Sequence, residues 1–282
     1  MTATSHPAPP PFVRLGPPVP QTPLVIAVPH AGRHYPAQIE ADRAVAHRIL
    51  EDLEDRYADR LVIPAVEAGA VAIVATHARG WIDLNRGEED AYGPDAAAAS
   101  PRARAGLGLV PSRIAGRPLW RRFPDEAEMR ARIEALHTVY HQAVAEALAA
   151  AKAEHGMALL VDCHSMPPLG RPGRAAPRIV IGDRHGITAG AAVAEAAEAV
   201  CRRHGLPVAR NAPYAGAFTI QHHGRPAEDI HAVQVEMDRT LYLRDGLREP
   251  SGAMEGMAAF FAELCWEAVD SLAGLPQARA AE

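Results

Sequence analysis

The sequence predicts an α/β protein in which a mostly parallel or mixed sheet is covered by helices. Short apolar runs of strand length recur at 24–28, 71–76, 158–161, 179–182 and 232–235. Between them apolar residues fall at helical spacing, and strands alternating with helices build parallel sheets. Two of the strands end in a histidine motif, Pro29-His30-Ala31-Gly32 and Asp162-Cys163-His164-Ser165. The C-terminal ends of strands are where open α/β sheets bind ligands.

Residues 1–22 are rich in proline and read as an extended, partly mobile arm. A single domain is expected over 23–275, with a tail at 276–282. After the first strand, Ile49, Leu50, Leu53, Tyr57 and Leu61 predict a helix across 43–61. The second strand leads to a short apolar piece at 81–84 and then to Asn85-Arg86. Residues 87–123 lack periodicity, and a connection that long is usually functional or mobile. Asp125 and Glu128 have the spacing of a capping box, opening a helix that runs to about Lys152. Its apolar stripe is Met129, Ile133, Leu136, Tyr140, Val144 and Leu148. The strand at 158–161 follows, then a loop at 166–177, a strand at 179–182 and a helix at 188–204. The strand at 232–235 and a last helix at 252–272 close the domain.

Composition narrows the function. With 48% hydrophobic and 22% charged residues, a sizeable core forms and wholesale disorder is excluded. A net charge of -5 argues against nucleic acid as a partner, which calls for basic patches. No apolar run is long enough to span a membrane. The N-terminal stretch lacks a basic-then-apolar export signal, so a cytoplasmic location is expected. Cys163, Cys201 and Cys265 form no Cys-x-x-Cys pair and read as reduced thiols.

The paired histidines suggest a metal. A catalytic zinc takes about three protein ligands and leaves a position for water; His30 and His164 are the first candidates. The third should be a carboxylate. Glu51, Asp52, Glu54, Asp55 and Asp59 crowd the helix expected at 43–61, where neighbouring residues point about 100° apart. Asp55, between Leu53 and Tyr57, is preferred, with Glu54 in reserve. Asp162 competes, but fits better as a group that orients a ligand. Arg79 and Arg86 are suited to gripping a substrate carboxylate or a developing oxyanion, unless they simply form surface salt bridges. Glu236 ends a strand at the same sheet edge, and spacing alone does not separate a catalytic base from a surface acid paired with Arg239. His222-His223-Gly224 is placed with Gly216 to line a pocket, His222 against substrate. His137 and His141 lack the glutamate of His-Glu-x-x-His and read as helix-surface or structural residues. Cys163 should face away from its neighbours in the strand, which excludes a thiol nucleophile, and Ser165 lacks a Gly-x-Ser-x-Gly elbow.

Taken in order, several motifs resemble the N-formylglutamate amidohydrolase family. They are Val28-Pro29-His30-Ala31-Gly32, the stretch 54–61, Arg79 with Ile82-Asp83-Leu84-Asn85-Arg86, and Asp162-Cys163-His164-Ser165-Met166. Tyr214-Ala215-Gly216, His222-His223-Gly224-Arg225-Pro226 and Val235-Glu236-Met237 complete the set, which covers roughly residues 22–270. The resemblance implies a fold like the zinc carboxypeptidases (phosphorylase/hydrolase-like) and a metal-dependent amidohydrolase. It also implies that His30, Asp55 and His164 hold zinc or another divalent transition metal, with Glu236 as general base. Arg79 would polarise the scissile carbonyl, while Asn85 and Arg86 bind a substrate carboxylate. The implied reaction releases formate and glutamate from N-formyl-L-glutamate, a step of histidine degradation. The sequence departs from the pattern at Glu54, where a small polar residue is expected, and at Gly80, where an aromatic usually follows the arginine. The same apparatus would serve another N-acyl amino acid or a peptide C-terminus, while a pure binding module would need neither Glu236 nor Arg79.

Overall fold

The computed structural model describes residues 8–170 and 176–272. Its strands are β1 (Phe12–Leu15), β2 (Leu24–Val28), β3 (Val71–Ala75), β4 (Arg113–Ile114), β5 (Arg117–Pro118), β6 (Ala158–Met166), β7 (Ile179–Gly182), β8 (Val208–Arg210) and β9 (Ile230–Asp238). Seven of them form one sheet in the order β1-β3-β2-β6-β9-β7-β8, and β4 and β5 make a separate ribbon. The central strands β3, β2, β6 and β9 run parallel; β1 is antiparallel to β3, and β7 is antiparallel to β9. The sheet is thus mostly parallel, as the alternation of elements predicts.

The side-chain period of two divides the sheet into two faces. Leu24, Ile26, Val28, Leu159, Val161, Cys163, Val233, Val235 and Met237 fill one core, under helices Ala191–Arg203 and Met254–Leu272. Val25, Ala27, Ile73, Ala158, Leu160 and Ala232 fill the other, against Tyr140, Val144 and Leu148 of helix Thr138–His155. Each Val, Leu, Ile or Met side chain buried this way contributes about 1.5–3 kcal/mol. On this second face the pattern changes partway along two strands. After Leu160, β6 presents Asp162 and His164; after Ala232, β9 presents Gln234 and Glu236. The helix covers the apolar half, and the polar half is left for the site.

Three elements depart from expectation. The arm at 1–22 contains β1, held to β3 with Phe12 opposite Ala75 and Leu15 opposite Ala72. Prolines bracket this strand, which an edge position tolerates. β8 was not anticipated. The helix expected at 43–61 is broken into His47–Glu51 and Ala58–Leu61. Between them the Asp55 N–H turns away from a helical partner and donates to the His30 carbonyl at 2.9 Å, while Tyr57 takes a left-handed φ of 62°.

The capping box of Asp125 and Glu128 is present, but a π turn at Ile133–His137 interrupts the long helix. His137 and His141 are buried rather than on its surface. Their Nε2 atoms bind the carbonyls of Arg86 at 2.8 Å and Leu84 at 2.7 Å, which fixes the segment carrying Asn85.

The chain after β2 lies directly on the chain after β3. The His34 N–H donates to the Thr76 carbonyl and the Ala78 N–H to the His34 carbonyl. A Cβ on Gly32 would stand 2.1 Å from the His77 carbonyl oxygen. Gly32→Ala should therefore destabilise the protein by about 3 kcal/mol, the upper end for overpacking, and lower the melting temperature by several degrees. Thermal unfolding checks this; a variant melting with the parent would contradict the close approach.

Candidate active site

His30, Asp55 and His164 come together, all buried, with one donor atom from each within 4.8 Å of the others. His30 follows β2, His164 lies within β6, and Asp55 sits in the turn between two short helices. The His164 Nδ1 is 2.9 Å from Asp55 Oδ2, and the His30 Nδ1 is 3.4 Å from the same oxygen. The His30 Nδ1 makes no hydrogen bond.

The outer nitrogens of both rings are held from behind. The His30 Nε2 is 2.7 Å from Asp83 Oδ1, and Asp83 also accepts from the Asn85 N–H at 2.9 Å and from Arg79 Nε at 2.9 Å. The His164 Nε2 lies 2.9 Å from Asp162 Oδ2 and 3.0 Å from Asn85 Nδ2. Asp83 behind His30 favours a proton on that ring's Nε2 and a lone pair on Nδ1, the arrangement around histidines that ligate metals. The His164 Nε2 instead accepts from the Asn85 amide, and neither oxygen of the nearby Asp162 makes a hydrogen bond among the described residues. Arg239 holds the other side of Asp55, donating to its Oδ1 at 3.0 Å.

This donor set fits a divalent cation. An orphaned imidazole nitrogen, a second imidazole and a carboxylate converge, the N/O chemistry that zinc and its neighbours take. Burial opposes charge on Asp55, yet His164 and His30 hold its carboxyl well below the usual range. Burial also opposes charge on His164, but its acidic neighbours, Asp162 first, hold its pKa well above the ordinary imidazole value.

Glu236 is the direct cross-strand partner of His164. It accepts from Gln234 Nε2 at 3.0 Å, and burial is the main cause pushing its carboxyl up to about 7. It does not pair with Arg239, which binds Asp55, the Ser165 hydroxyl and the Asp52 carbonyl. Glu54 is engaged elsewhere, with the Tyr35 hydroxyl and with Arg56 at 3.0 Å. Of the two acids left open in the turn, Asp55 stands in the cluster.

All of this faces a cavity of about 760 Å³, lined among others by Arg79, Asn85, Arg86, Tyr214 and Glu236. Among the described residues only Nε of Arg79 has a protein partner, which leaves both terminal nitrogens to donate. Asn85 is less available than the sequence suggests: its amide donates toward Gln234 Oε1 at 3.3 Å and accepts from the Thr219 N–H at 2.8 Å. Arg86 binds the Leu107 and Asn85 carbonyls through Nε and Nη1, and its Nη2 has no hydrogen bond among the described residues. His222 is exposed and is not among the residues lining the cavity. Helix Phe218–His223 stacks it on Phe218 instead, and turns the buried His223 toward His141.

Sequence reasoning missed Asp83 as the partner of His30, Gln234 beside Glu236, and two cavity arginines, Arg184 and Arg239. Gln234 carried a readable signal, two residues before Glu236 and so on the same strand face. Asp83 meets His30, and Arg239 meets Asp55, across contacts distant in sequence.

A mostly parallel sheet with a buried His–Asp–His cluster whose donor atoms fit a cation, open to an arginine-lined cavity, defines the class of α/β protein to which this chain belongs. A model of the N-formylglutamate amidohydrolase family matches residues 22–243, and the chain belongs to that family. It is 35% identical over 230 residues to an N-formylglutamate deformylase of Pseudomonas aeruginosa, covering 79% of this chain and 83% of the relative. A deformylase of the same description from Pseudomonas putida is 30% identical over 243 residues, covering 84% and 86%. The crystal structure of an N-formylglutamate amidohydrolase from Ralstonia eutropha superposes with a TM-score of 0.83 at 31% identity, over 93% of this chain and 98% of the other. No helix of the described residues is long and apolar enough to cross a membrane.

Proposed function

We propose that this protein is a zinc-dependent amidohydrolase that converts N-formyl-L-glutamate and water to formate and L-glutamate, a step of histidine degradation in the cytoplasm. The observation that carries this reading is the His30–Asp55–His164 cluster with Glu236 as its cross-strand neighbour, facing an arginine-lined cavity. The descriptions of the relatives support the substrate.

His30, Asp55 and His164 would hold the metal, with Asp83 and Asp162 orienting the two rings. A divalent cation there supplies a Lewis acid for the formyl carbonyl and lowers the pKa of a water. Glu236 takes a proton from the attacking water as its oxygen bonds to the formyl carbon. The free terminal nitrogens of Arg79 donate to the carbonyl oxygen as it gains charge, where such a donor counts most. Glu236 then returns the proton to the amide nitrogen, the C–N bond breaks, and formate and glutamate leave. Arg86 donates to the α-carboxylate through Nη2, while Asn85 supports His164 and the neighbouring Gln234.

Formate release from N-formyl-L-glutamate tests the proposal directly. Purified protein is expected to release formate, to stop after chelation, and to recover on adding zinc. Release that survives complete removal of metal would refute the metal chemistry. No release from a folded, metal-loaded sample would refute the substrate.

A further inference from the structure

We infer that Arg184 recognises the side-chain carboxylate of the substrate and sets the preference for an acidic amino acid. The inference rests on the deformylase reading above.

Five arginines line the cavity: Arg79, Arg86, Arg102, Arg184 and Arg239. Four have a carboxylate within reach: Asp83 at 2.9 Å from Arg79 and 4.0 Å from Arg86, Asp90 at 3.9 Å from Arg102, and Asp55 at 3.0 Å from Arg239. Arg184 has none among the described residues. Its Nη1 donates to the Gly216 carbonyl at 3.3 Å, and its Nε is buried without an acceptor. One edge of the guanidinium, Nε with Nη2, is therefore left without an acceptor among the described residues. That edge is the fork with which arginine takes a carboxylate, and a buried donor without a partner is costly unless a ligand supplies one.

The backbone beneath Arg184 is built and held. Arg184, His185 and Gly186 have φ of 50°, 60° and 85°, a run of left-handed residues that L side chains adopt at a cost. Asp183, fully buried, holds the turn by accepting from the Gly186 N–H at 3.1 Å and Asn211 Nδ2 at 2.7 Å. The Arg184 N–H donates to the Ala215 carbonyl at 2.8 Å. An arginine that merely pointed into water would need none of this; strain retained by surrounding contacts is the mark of a positioned group.

The position selects the carboxylate. The reacting bond lies at β6 and β9, where His164 and Glu236 are partners. Arg86, bonded to the Asn85 carbonyl, stands at that end and suits the α-carboxylate. Arg184 follows β7, the next strand out from β9, where the amino-acid side chain would extend.

The test compares kcat/KM for N-formyl-L-glutamate and N-formyl-L-glutamine in the wild type, Arg184→Gln and Arg184→Lys. Glutamine keeps the α-carboxylate and loses only the side-chain charge. Each ratio is taken within one protein preparation, so any misfolded fraction cancels. The wild type is expected to prefer glutamate, and Arg184→Gln to lower that preference about 10- to 100-fold, the range for a lost charged hydrogen bond, mainly through KM. Arg184→Lys should retain part of it, and decides the matter if the glutamine variant cannot be purified. A preference that both variants leave intact overturns the inference. Failure of the underlying reading looks different: the wild type itself would deformylate neither compound, and the inference would fall with it.

Discussion

Glu236→Gln is expected to lose turnover by about 10²- to 10⁴-fold while keeping its metal, the range for removing a positioned general base. The substitution is close to isosteric and preserves the local packing. Gln234 Nε2 donates to Glu236 Oε1 at 3.0 Å, and an amide oxygen accepts that bond as a carboxylate does. What the amide cannot do is take a proton from water and hand it to a leaving nitrogen. Burial raises the carboxyl to about 7, the range in which one group does both near neutral pH. Because Glu236 lies outside the His30–Asp55–His164 cluster, metal content should stay at the wild-type level. Steady-state kinetics with metal analysis on the same samples reads both quantities. Normal turnover would remove Glu236 as the base, and lost metal would make it part of the cation site.

The contrast between Asp55 and Arg184 indicates how far the sequence could be read. The strands were legible because burial on both faces leaves uninterrupted apolar runs, as in Leu24–Val28 and Ile179–Gly182. The histidines were legible because each closes such a run. Asp55 was favoured for a face of a helix that does not exist. The turn that places it is set by a hydrogen bond to the His30 carbonyl, a contact across 25 positions that local pattern does not encode. The break also explains why Glu54, its neighbour, can point elsewhere. Arg184, Asp83 and Arg239 were illegible for the same kind of reason: each reaches its partner in the site across 32 to 184 positions, Arg184 from a left-handed backbone that no composition rule marks. His222 and His223 show the converse. Adjacent histidines on a short helix point to different sides, and the pair alone does not say which faces inward.

His164→Ala should lose both metal and activity, and Asp162→Asn should separate the two layers of the site. Removing the imidazole takes away one of three converging donors and leaves Asp55 Oδ2 without its partner at 2.9 Å. With two donors remaining, the cluster falls below the count that zinc needs from a protein. Full metal occupancy in His164→Ala would place the cation site elsewhere. Asp162 is different in kind, because it stands behind the ring, 2.9 Å from the His164 Nε2, and orients it without belonging to the converging set. Asp162→Asn should therefore still bind metal, about 10- to 100-fold more weakly, as loss of such an orienting partner does. Titration with a competing chelator measures this. An affinity equal to that of the parent would mean that Asn85, 3.0 Å from the same nitrogen, suffices to hold the ring. A complete loss would make Asp162 a ligand.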